Sequence, residues 1–546
     1  MANQSYAHGI NHIPLKGETI SACLRQTVEK FGKSEALVVV SQNYRATYDQ
    51  LWSQVEEVAK SFLAYGIKKY DRVGIWAPNR YEWILVQFAT ARVGAIMVNI
   101  NPAYKTADLK YALEQSKVEL LIAAHYFRKT DYVEMLNHVR PDCEYPHRTI
   151  IIEKHWEKFI EAGKKISDEA LHEVENTLQF DDPINIQYTS GTTGRPKGAT
   201  LSHHNILNNG FFIGERLSYT EKDRVCIPVP FYHCFGMVLG NMACITHGSC
   251  MVIPGEFFEP DQVMQTVQAE KCTSLYGVPT MFIAELTHPN FSNYDFSSLR
   301  TGIMAGSPCP IETMKQVQTM MNMKEVTVCY GMTETSPVSA QSECNDPLEK
   351  RVSTVGTVHP HVEVKIVNPA NGAIVERGTS GEICTRGYSV MIGYWDMPQE
   401  TDKVIDQNNW MHTGDLGIMD EEGYVKIVGR IKDTIIRGGE NIAPLEIEDF
   451  LMSQEAVANA QVIGVPSIKY GEEVMAWIKL RDGYEATPEE LLEYCKGQIA
   501  TFKIPKYWKF VDDFPMTVSG KVRKVEMREI AIKELNLEDA AKILTA

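Results

Sequence analysis

Between residues 71 and 124 short apolar runs alternate with longer amphipathic ones, and this alternation restricts the chain to a layered α/β architecture. Residues 71–77 (DRVGIWA) read as a strand, Pro78-Asn79 as a turn, and 80–94 as a helix with Ile84, Leu85, Phe88 and Ala91 on one face. Residues 96–100 read as the next strand, 107–116 as a second helix, and 118–124 as a buried strand rich in Val, Ile and Leu. The rhythm is βαβαβ, so parallel strands are expected.

A chain of 546 residues exceeds the size at which one hydrophobic core keeps growing, so at least two domains are expected. Beyond residue 350 short alternating runs such as 362–367 and 424–428, punctuated by Gly and Asn, suggest β-rich structure. From Lys432 onward the texture returns to mixed α/β: 444–452 and 488–498 read as helices, 460–465 and 474–480 as strands. The expected organisation is a large N-terminal domain over 1–431, layered α/β with a β-rich subdomain, and a small α+β C-terminal domain over 432–546.

Charge and cysteine usage remove several classes of function. Lys and Arg number 54 against 70 for Asp and Glu, a net charge of −16 without long runs of one sign, which disfavours nucleic acid as a partner. A local basic loop can still bind a polyanion. The 12 cysteines form no CxxC pair and read as reduced, mostly buried thiols rather than a disulfide or zinc framework. Residues 1–14 resemble neither a secretory signal nor an Arg-rich transit peptide, and no run approaches membrane-spanning length. The expected location is cytoplasmic, with peripheral membrane contact left open.

The strongest motif lies between a strand at 185–188 and a helix opening near Ser202-His203: Thr189-Ser190-Gly191-Thr192-Thr193-Gly194-Arg195-Pro196-Lys197-Gly198. Its glycines let backbone N–H groups approach an oxyanion, its four hydroxyls can donate hydrogen bonds, and Lys197 adds a compact cation. It differs from the common P-loop, which needs Gly directly before Lys and Ser or Thr directly after it. A flexible surface loop is the bland alternative, and the density of hydroxyls, glycines and Lys argues for a phosphate instead.

On this loop the chain resembles the adenylate-forming superfamily of acyl-CoA synthetases, luciferases and peptide-synthetase adenylation domains. Within it the likeness is to the medium-chain fatty acyl-CoA synthetases of the acyl-CoA synthetase family member two group, and it runs from about Thr19 to the C-terminal region. The resemblance implies that Thr189, Ser190, Gly191, Thr192, Thr193, Gly194 and Lys197 meet the phosphates of ATP.

In Tyr330-Gly331-Met332-Thr333-Glu334-Thr335 it implies that Tyr330 stacks on adenine, Thr333 meets the α-phosphate and Glu334 helps hold Mg²⁺. Mg²⁺ prefers one or two protein carboxylates plus phosphate oxygens, although the bare residues could equally start a helix with a capping hydroxyl. Gly306 and Ser307, in Ala305-Gly306-Ser307-Pro308, resemble the second adenine-side loop, where a simple turn would serve as well. Asp415 would accept hydrogen bonds from both ribose hydroxyls and Arg430 would donate to the ribose, each having an ordinary reading as a turn Asp or a surface Arg.

Lys432 matches the family's interdomain hinge, a pivot that needs no catalytic role. Gly439, in Arg437-Gly438-Gly439-Glu440-Asn441, resembles the loop that meets the pantetheine arm of coenzyme A after domain rotation, or is an ordinary strand-to-helix turn before Pro444. Lys521, in Ser519-Gly520-Lys521, matches the catalytic lysine, whose cation would bridge acid and phosphate oxygens as two anions approach; elsewhere such a Lys is a solvated charge.

Residues 230–237 (PFYHCFGM) resemble one wall of the acyl pocket, with His233 near the carboxylate, although a lone His among apolar residues is often a satisfied core histidine. No Asp or Glu lies between Phe231 and Gly240, so the wall suits a hydrophobic acid better than an amino acid. Each methylene is worth only ~0.8 kcal/mol, so chain length stays open.

The implied activity is that of an ATP-dependent acyl-CoA synthetase acting as monomer or homodimer, with a carboxylic acid, ATP and coenzyme A as small-molecule partners and Mg²⁺ as cofactor. Lys521, Glu334, Thr333 and His233 would carry the chemistry, and a medium-chain fatty acid is the expected substrate. Rival readings keep the fold but activate another hydrophobic or aromatic acid, or pass the acyl group to a carrier-protein thiol or to oxygen. A nucleotide sensor without catalysis would be marked by loss of Lys521 or Glu334, and both are present.

Overall fold

A computed structural model describes residues 3–189, 196–307, 309–438, 440–516 and 522–544. They fall into two compact units: Ala7–Val364 with Thr385–Met411, and Met1–Tyr6 with Lys365–Cys384 and His412–Ala546.

In the larger unit the βαβαβ segment forms as expected. Strands Arg72–Trp76, Ile96–Asn99 and Val118–Ala123 alternate with helices Tyr81–Val93 and Thr106–Gln115, and Arg72–Trp76 lies parallel between the other two strands. Arg148–Ile151 and Pro183–Thr189 extend the parallel core on opposite sides. Lys197–Ser202 and Gly393–Tyr394 then close one edge as antiparallel strands of a seven-stranded sheet.

The helix Tyr81–Val93 departs from the one-faced reading, because every residue from Glu82 to Val93 is buried. Apolar residues occupy every side of it, interspersed with Glu82, Gln87, Thr90 and Arg92, and such a helix lowers its free energy only where no face meets water. Arg92 is tolerated inside because its Nε lies 2.7 Å from Glu175 Oε1 and its guanidinium sits 3.9 Å from the centre of the Trp52 ring.

A second sheet of nine strands has six parallel ones at its centre: Glu35–Val39, Cys250–Ile253, Arg224–Cys226, Ser274–Gly277, Thr301–Ala305 and Glu325–Gly331. The carboxyl ends of the last three reach one edge of the sheet, where open α/β sheets place their ligands.

The smaller unit holds the antiparallel pair Met411–Met419 and Val425–Arg430. It also holds a five-stranded sheet in which Val457–Ser467 and Gly471–Leu480 form a long hairpin. Helices Pro444–Met452, Pro488–Cys495 and Lys524–Glu534 belong to the same unit. Lys432 lies inside this unit, in a short turn after Arg430. Among the described residues no helix is long and apolar enough to cross a membrane, and the cysteines are free thiols.

Ser202 caps the helix His203–Arg216 through a reciprocal pair of bonds with Asn205. The next residue, His203, is fully buried; its Nδ1 accepts the Ile20 N–H at 3.2 Å, and burial lowers its pKa to about 4. An unfolded chain protonates this imidazole below its ordinary pKa near 6.5, whereas the folded chain resists until about 4. Stability should therefore fall as the pH drops through that window, by up to ~3 kcal/mol from this group. His203→Gln should flatten that part of the pH dependence, read as the difference between the two proteins in urea unfolding from pH 7 to 4. Parallel curves would remove His203 as the source.

Candidate active site

The phosphate-loop motif is flanked by two strands. Pro183–Thr189 and Lys197–Ser202 pair antiparallel with Thr189 opposite Lys197, and the Thr189 hydroxyl donates to the Lys197 carbonyl at 3.3 Å. The expected phosphate ligands Ser190, Gly191, Thr192, Thr193 and Gly194 lie outside the described residues. The sequence reading ran the loop through to Gly198 and missed the strand Lys197–Ser202, whose residues 199–202 are buried. Lys197 pairs with Glu400 and its Nζ stands 5.0 Å from the centre of the Tyr394 ring. Hydrogen bonds from Lys197 and then Lys403 hold the Glu400 carboxyl down to about 2.

Gly306, Ser307 and Tyr330 lie at the carboxyl edge of the second sheet. Ala305 ends its strand opposite Cys329, one residue before Tyr330. Gly306 has φ +93°, a conformation that glycine adopts without steric cost. Ser307 is exposed and Tyr330 half-buried.

After Gly331 the chain makes a single turn, Thr333–Thr335, closed by Ser336 at φ +72°. The Met332 N–H donates to the Pro337 carbonyl at 3.0 Å, and the Thr335 hydroxyl donates to the same carbonyl at 2.7 Å. Glu334 is thereby buried, its carbonyl accepts the Met391 N–H at 2.9 Å, and its Oε1 accepts the Tyr394 hydroxyl at 2.8 Å. Burial, reinforced by the Glu334 charge, raises the Tyr394 pKa, so the phenol remains a donor. Oxygen donors suit a hard divalent cation, so the Glu334 carboxylate fits Mg²⁺.

The segment expected to form the acyl wall reaches the same place. Burial pushes the Cys234 thiol up to about 12; the Glu334 charge adds to the rise, and hydrogen bonds with Thr333 and Gln187 oppose it. His233 Nδ1 accepts the Phe235 N–H at 3.1 Å, so in the neutral ring the proton resides on Nε2. Phe235–Met242 then winds as a π-helix with every residue buried. The larger unit thus brings together His233, Thr333 and Glu334. Its carboxylate support, Tyr394, escaped the sequence reading because the stretch beyond residue 350 carried only a β-rich signal.

The smaller unit carries Asp415 and Arg430, opposite each other on neighbouring strands, with Arg430 Nε 2.8 Å from Asp415 Oδ1. Gly414 has φ +71° and its N–H donates to Glu382 Oε1 at 3.2 Å, while Glu382 Oε2 lies 2.9 Å from His412 Nδ1. Glu382 and His412 therefore brace the strand segment that carries Asp415, a pairing across 30 residues of sequence that no local motif announces. The Lys432 side chain is exposed, and desolvation of its ammonium, followed by the Arg430 charge, lowers its pKa. Gly439 and Lys521 lie outside the described residues. Beyond residues 517–521, Met516 and Val522 bridge antiparallel, and the Arg523 N–H donates to the Pro515 carbonyl at 2.8 Å.

The chain belongs to the AMP-binding enzyme family, whose model matches residues 24–395; a second model, the AMP-binding enzyme C-terminal domain, matches residues 446–521. Among individual relatives, YngI of Bacillus subtilis (strain 168) is 48% identical over 542 residues, covering 96% of this chain and 98% of that protein. The medium-chain acyl-CoA ligase ACSF2, mitochondrial, of Danio rerio is 42% identical over 554 residues, covering 98% of this chain and 91% of that protein. The crystal structure of ATP-bound MatB from Rhodopseudomonas palustris superposes with a TM-score of 0.80 at 27% identity, covering 94% of this chain and 99% of that one. The Mycobacterium tuberculosis fatty acyl CoA synthetase does so with a TM-score of 0.71 at 26% identity, over 94% and 98% of the two chains.

The Glu334 turn depends on the missing side chain of Gly331, since a Cβ there would fall 1.6 Å from the Pro337 carbonyl oxygen. Backbone must move to admit it. Gly331→Ala should cost about 1–3 kcal/mol of stability, as overpacking does, and should weaken ATP binding because Thr333 and Glu334 move with the turn. Thermal unfolding and calorimetry check the pair of effects, and native values in both would show that the turn tolerates the methyl group.

Proposed function

We propose that this chain is an AMP-forming acid–thiol ligase that activates a hydrophobic, medium-chain carboxylic acid as its acyl-adenylate, releases pyrophosphate, and passes the acyl group to coenzyme A. The observation that carries the reading is the buried Glu334, bonded to the Tyr394 hydroxyl at 2.8 Å, whose turn neighbour Thr333 bonds with Cys234, from which the buried apolar segment Phe235–Met242 continues. An apolar wall beside a carboxylate that can hold a divalent cation suits a substrate that is a fatty chain at one end and an anion at the other, because the cation offsets the repulsion between the two carboxylates. The relatives named as medium-chain acyl-CoA ligases support the acid class. A cytoplasmic location belongs to this reading, whereas the vertebrate ACSF2 relatives are named as mitochondrial.

In this reading Thr189 and Lys197, with residues 190–194, hold the phosphates. Gly306, Ser307 and Tyr330 hold the adenine, and Asp415 and Arg430 hold the ribose. Thr333 meets the α-phosphate and Glu334 holds Mg²⁺, which when bound neutralises charge on the phosphate oxygens. His233, with its proton on Nε2, can donate to the acid's carboxylate. Lys521 stabilises charge as the carboxylate approaches phosphorus, Gly439 leaves room for the thiol, and Lys432 serves as the hinge.

A pyrophosphate-release screen over linear acids of increasing length, with aromatic, branched and amino acids alongside, tests the substrate class. Release should peak at medium-length linear acids and yield the acyl-CoA, by mass, once free coenzyme A is added. Release with amino acids alone would overturn the assignment.

The two half-reactions should also break separately. Lys521→Ala should slow acyl-adenylate formation by ~10²-fold or more, the scale for removing one preorganised charge, and spare thioester formation from supplied acyl-adenylate. Gly439→Trp should do the reverse, so that enzyme-bound acyl-adenylate accumulates. Equal slowing of both halves by both substitutions, in folded protein, would remove the separate roles of Lys521 and Gly439.

A further inference from the structure

We propose that Tyr394 is a positioning residue that joins the phosphate-loop strand to the magnesium carboxylate: its hydroxyl aims Glu334 while its ring, with Glu400, holds Lys197. The inference rests on the reading of Glu334 and Lys197 given above and adds a residue to it.

The backbone makes Tyr394 a junction. Tyr394 lies opposite Ala199 on the strand that leaves the phosphate loop. The Ile392 N–H donates to the Thr200 carbonyl at 2.9 Å, and the Trp395 N–H donates to the Gly198 carbonyl at 2.7 Å. Three residues before Tyr394, the Met391 N–H donates to the Glu334 carbonyl at 2.9 Å. A five-residue stretch therefore touches the exit of the phosphate loop and the carboxylate-bearing turn by main-chain bonds alone. Thr401 adds a brace, its hydroxyl oxygen accepting the Tyr394 N–H at 2.9 Å.

The side chain repeats the connection. Tyr394 is 8% and Glu334 6% exposed, and the phenol donates to Glu334 Oε1 at 2.8 Å. A phenol orients a carboxylate without cancelling its charge, whereas an Arg or Lys in the same place would compete with the cation that the carboxylate is to bind. The ring lies under Lys197 Nζ at 5.0 Å, within reach of a cation–π attraction, and Glu400 pairs with the same ammonium. Held by both, Lys197 keeps one rotamer among the many open to a four-carbon stem, so less ordering is left for ATP binding to impose.

The test is ATP binding by calorimetry over a series of Mg²⁺ concentrations, for wild type, Tyr394→Phe, Glu334→Gln and the double variant. Tyr394→Phe removes one oxygen and keeps the ring. It should raise the Mg²⁺ needed for half-maximal ATP affinity by about tenfold, the scale of one hydrogen bond to a charged group. Glu334→Gln should raise it at least as far, and adding Tyr394→Phe to Glu334→Gln should change it by less than about twofold, because the phenol acts through the carboxylate. Tyr394→Leu, which also removes the ring, should weaken Mg²⁺-free ATP binding beyond Tyr394→Phe. In steady-state kinetics the Phe variant should show its defect mainly in KM for Mg²⁺ and less in kcat.

A raised Mg²⁺ requirement in Glu334→Gln beside an unchanged one in Tyr394→Phe overturns the proposal and leaves the function standing. Additive effects in the double variant also overturn it, since Tyr394 would then act by another route. An unchanged requirement in both single variants removes Glu334 from the Mg²⁺ site and takes the proposal with it.

Discussion

The strand Lys197–Ser202 is hydrogen-bonded along both edges, to Pro183–Thr189 on one side and to Gly393–Tyr394 on the other. Its residues 198–202 are buried on both faces, so the main-chain bonds on both edges fix the register. That register sets Thr189 beside Lys197, and it brings Tyr394 from almost two hundred residues away to the same spot. The ion pair of Lys197, the orientation of Glu334 and the position of the turn after Gly331 all follow from one doubly paired strand.

Much of the architecture was legible because it rests on local periodicity. The βαβαβ segment and the helix Pro444–Met452 lie where the apolar patterning placed them. The burial of every residue from Glu82 to Val93 escaped a one-face reading, because apolar residues on every side of the run give no preferred face. The strand after the phosphate loop escaped as well: Lys-Gly-Ala-Thr-Leu-Ser alternates too weakly to announce itself, and its pairing on both edges supplies what its own propensity lacks.

At the candidate site the legible residues carry their own chemistry in a short motif, as Thr333 and Glu334 do. The illegible ones support them from a distance. Tyr394 meets Glu334 across 60 residues of sequence, and Glu400 meets Lys197 across 203. Neither a phenol nor a surface carboxylate is unusual in itself, so only the fold reveals the partnership. The same holds in the smaller unit, where Glu382 and His412 brace the strand that carries Asp415.

The π-helix Phe235–Met242 has a consequence for how the proposed acyl wall can change over time. Such a segment carries a residue beyond what an α-helix of the same span requires, because its hydrogen bonds reach one position further along the chain. Removing a single residue would let the backbone relax to α-helical bonding and swing the following side chains by about 100° around the axis. Most cores respond to deletion by collapse, but here a deletion has a regular helix to fall into. The lining of the wall is thus open to remodelling through chain length as well as side-chain replacement, a route by which related lineages could diverge in the acids they accept without disturbing the strands beneath.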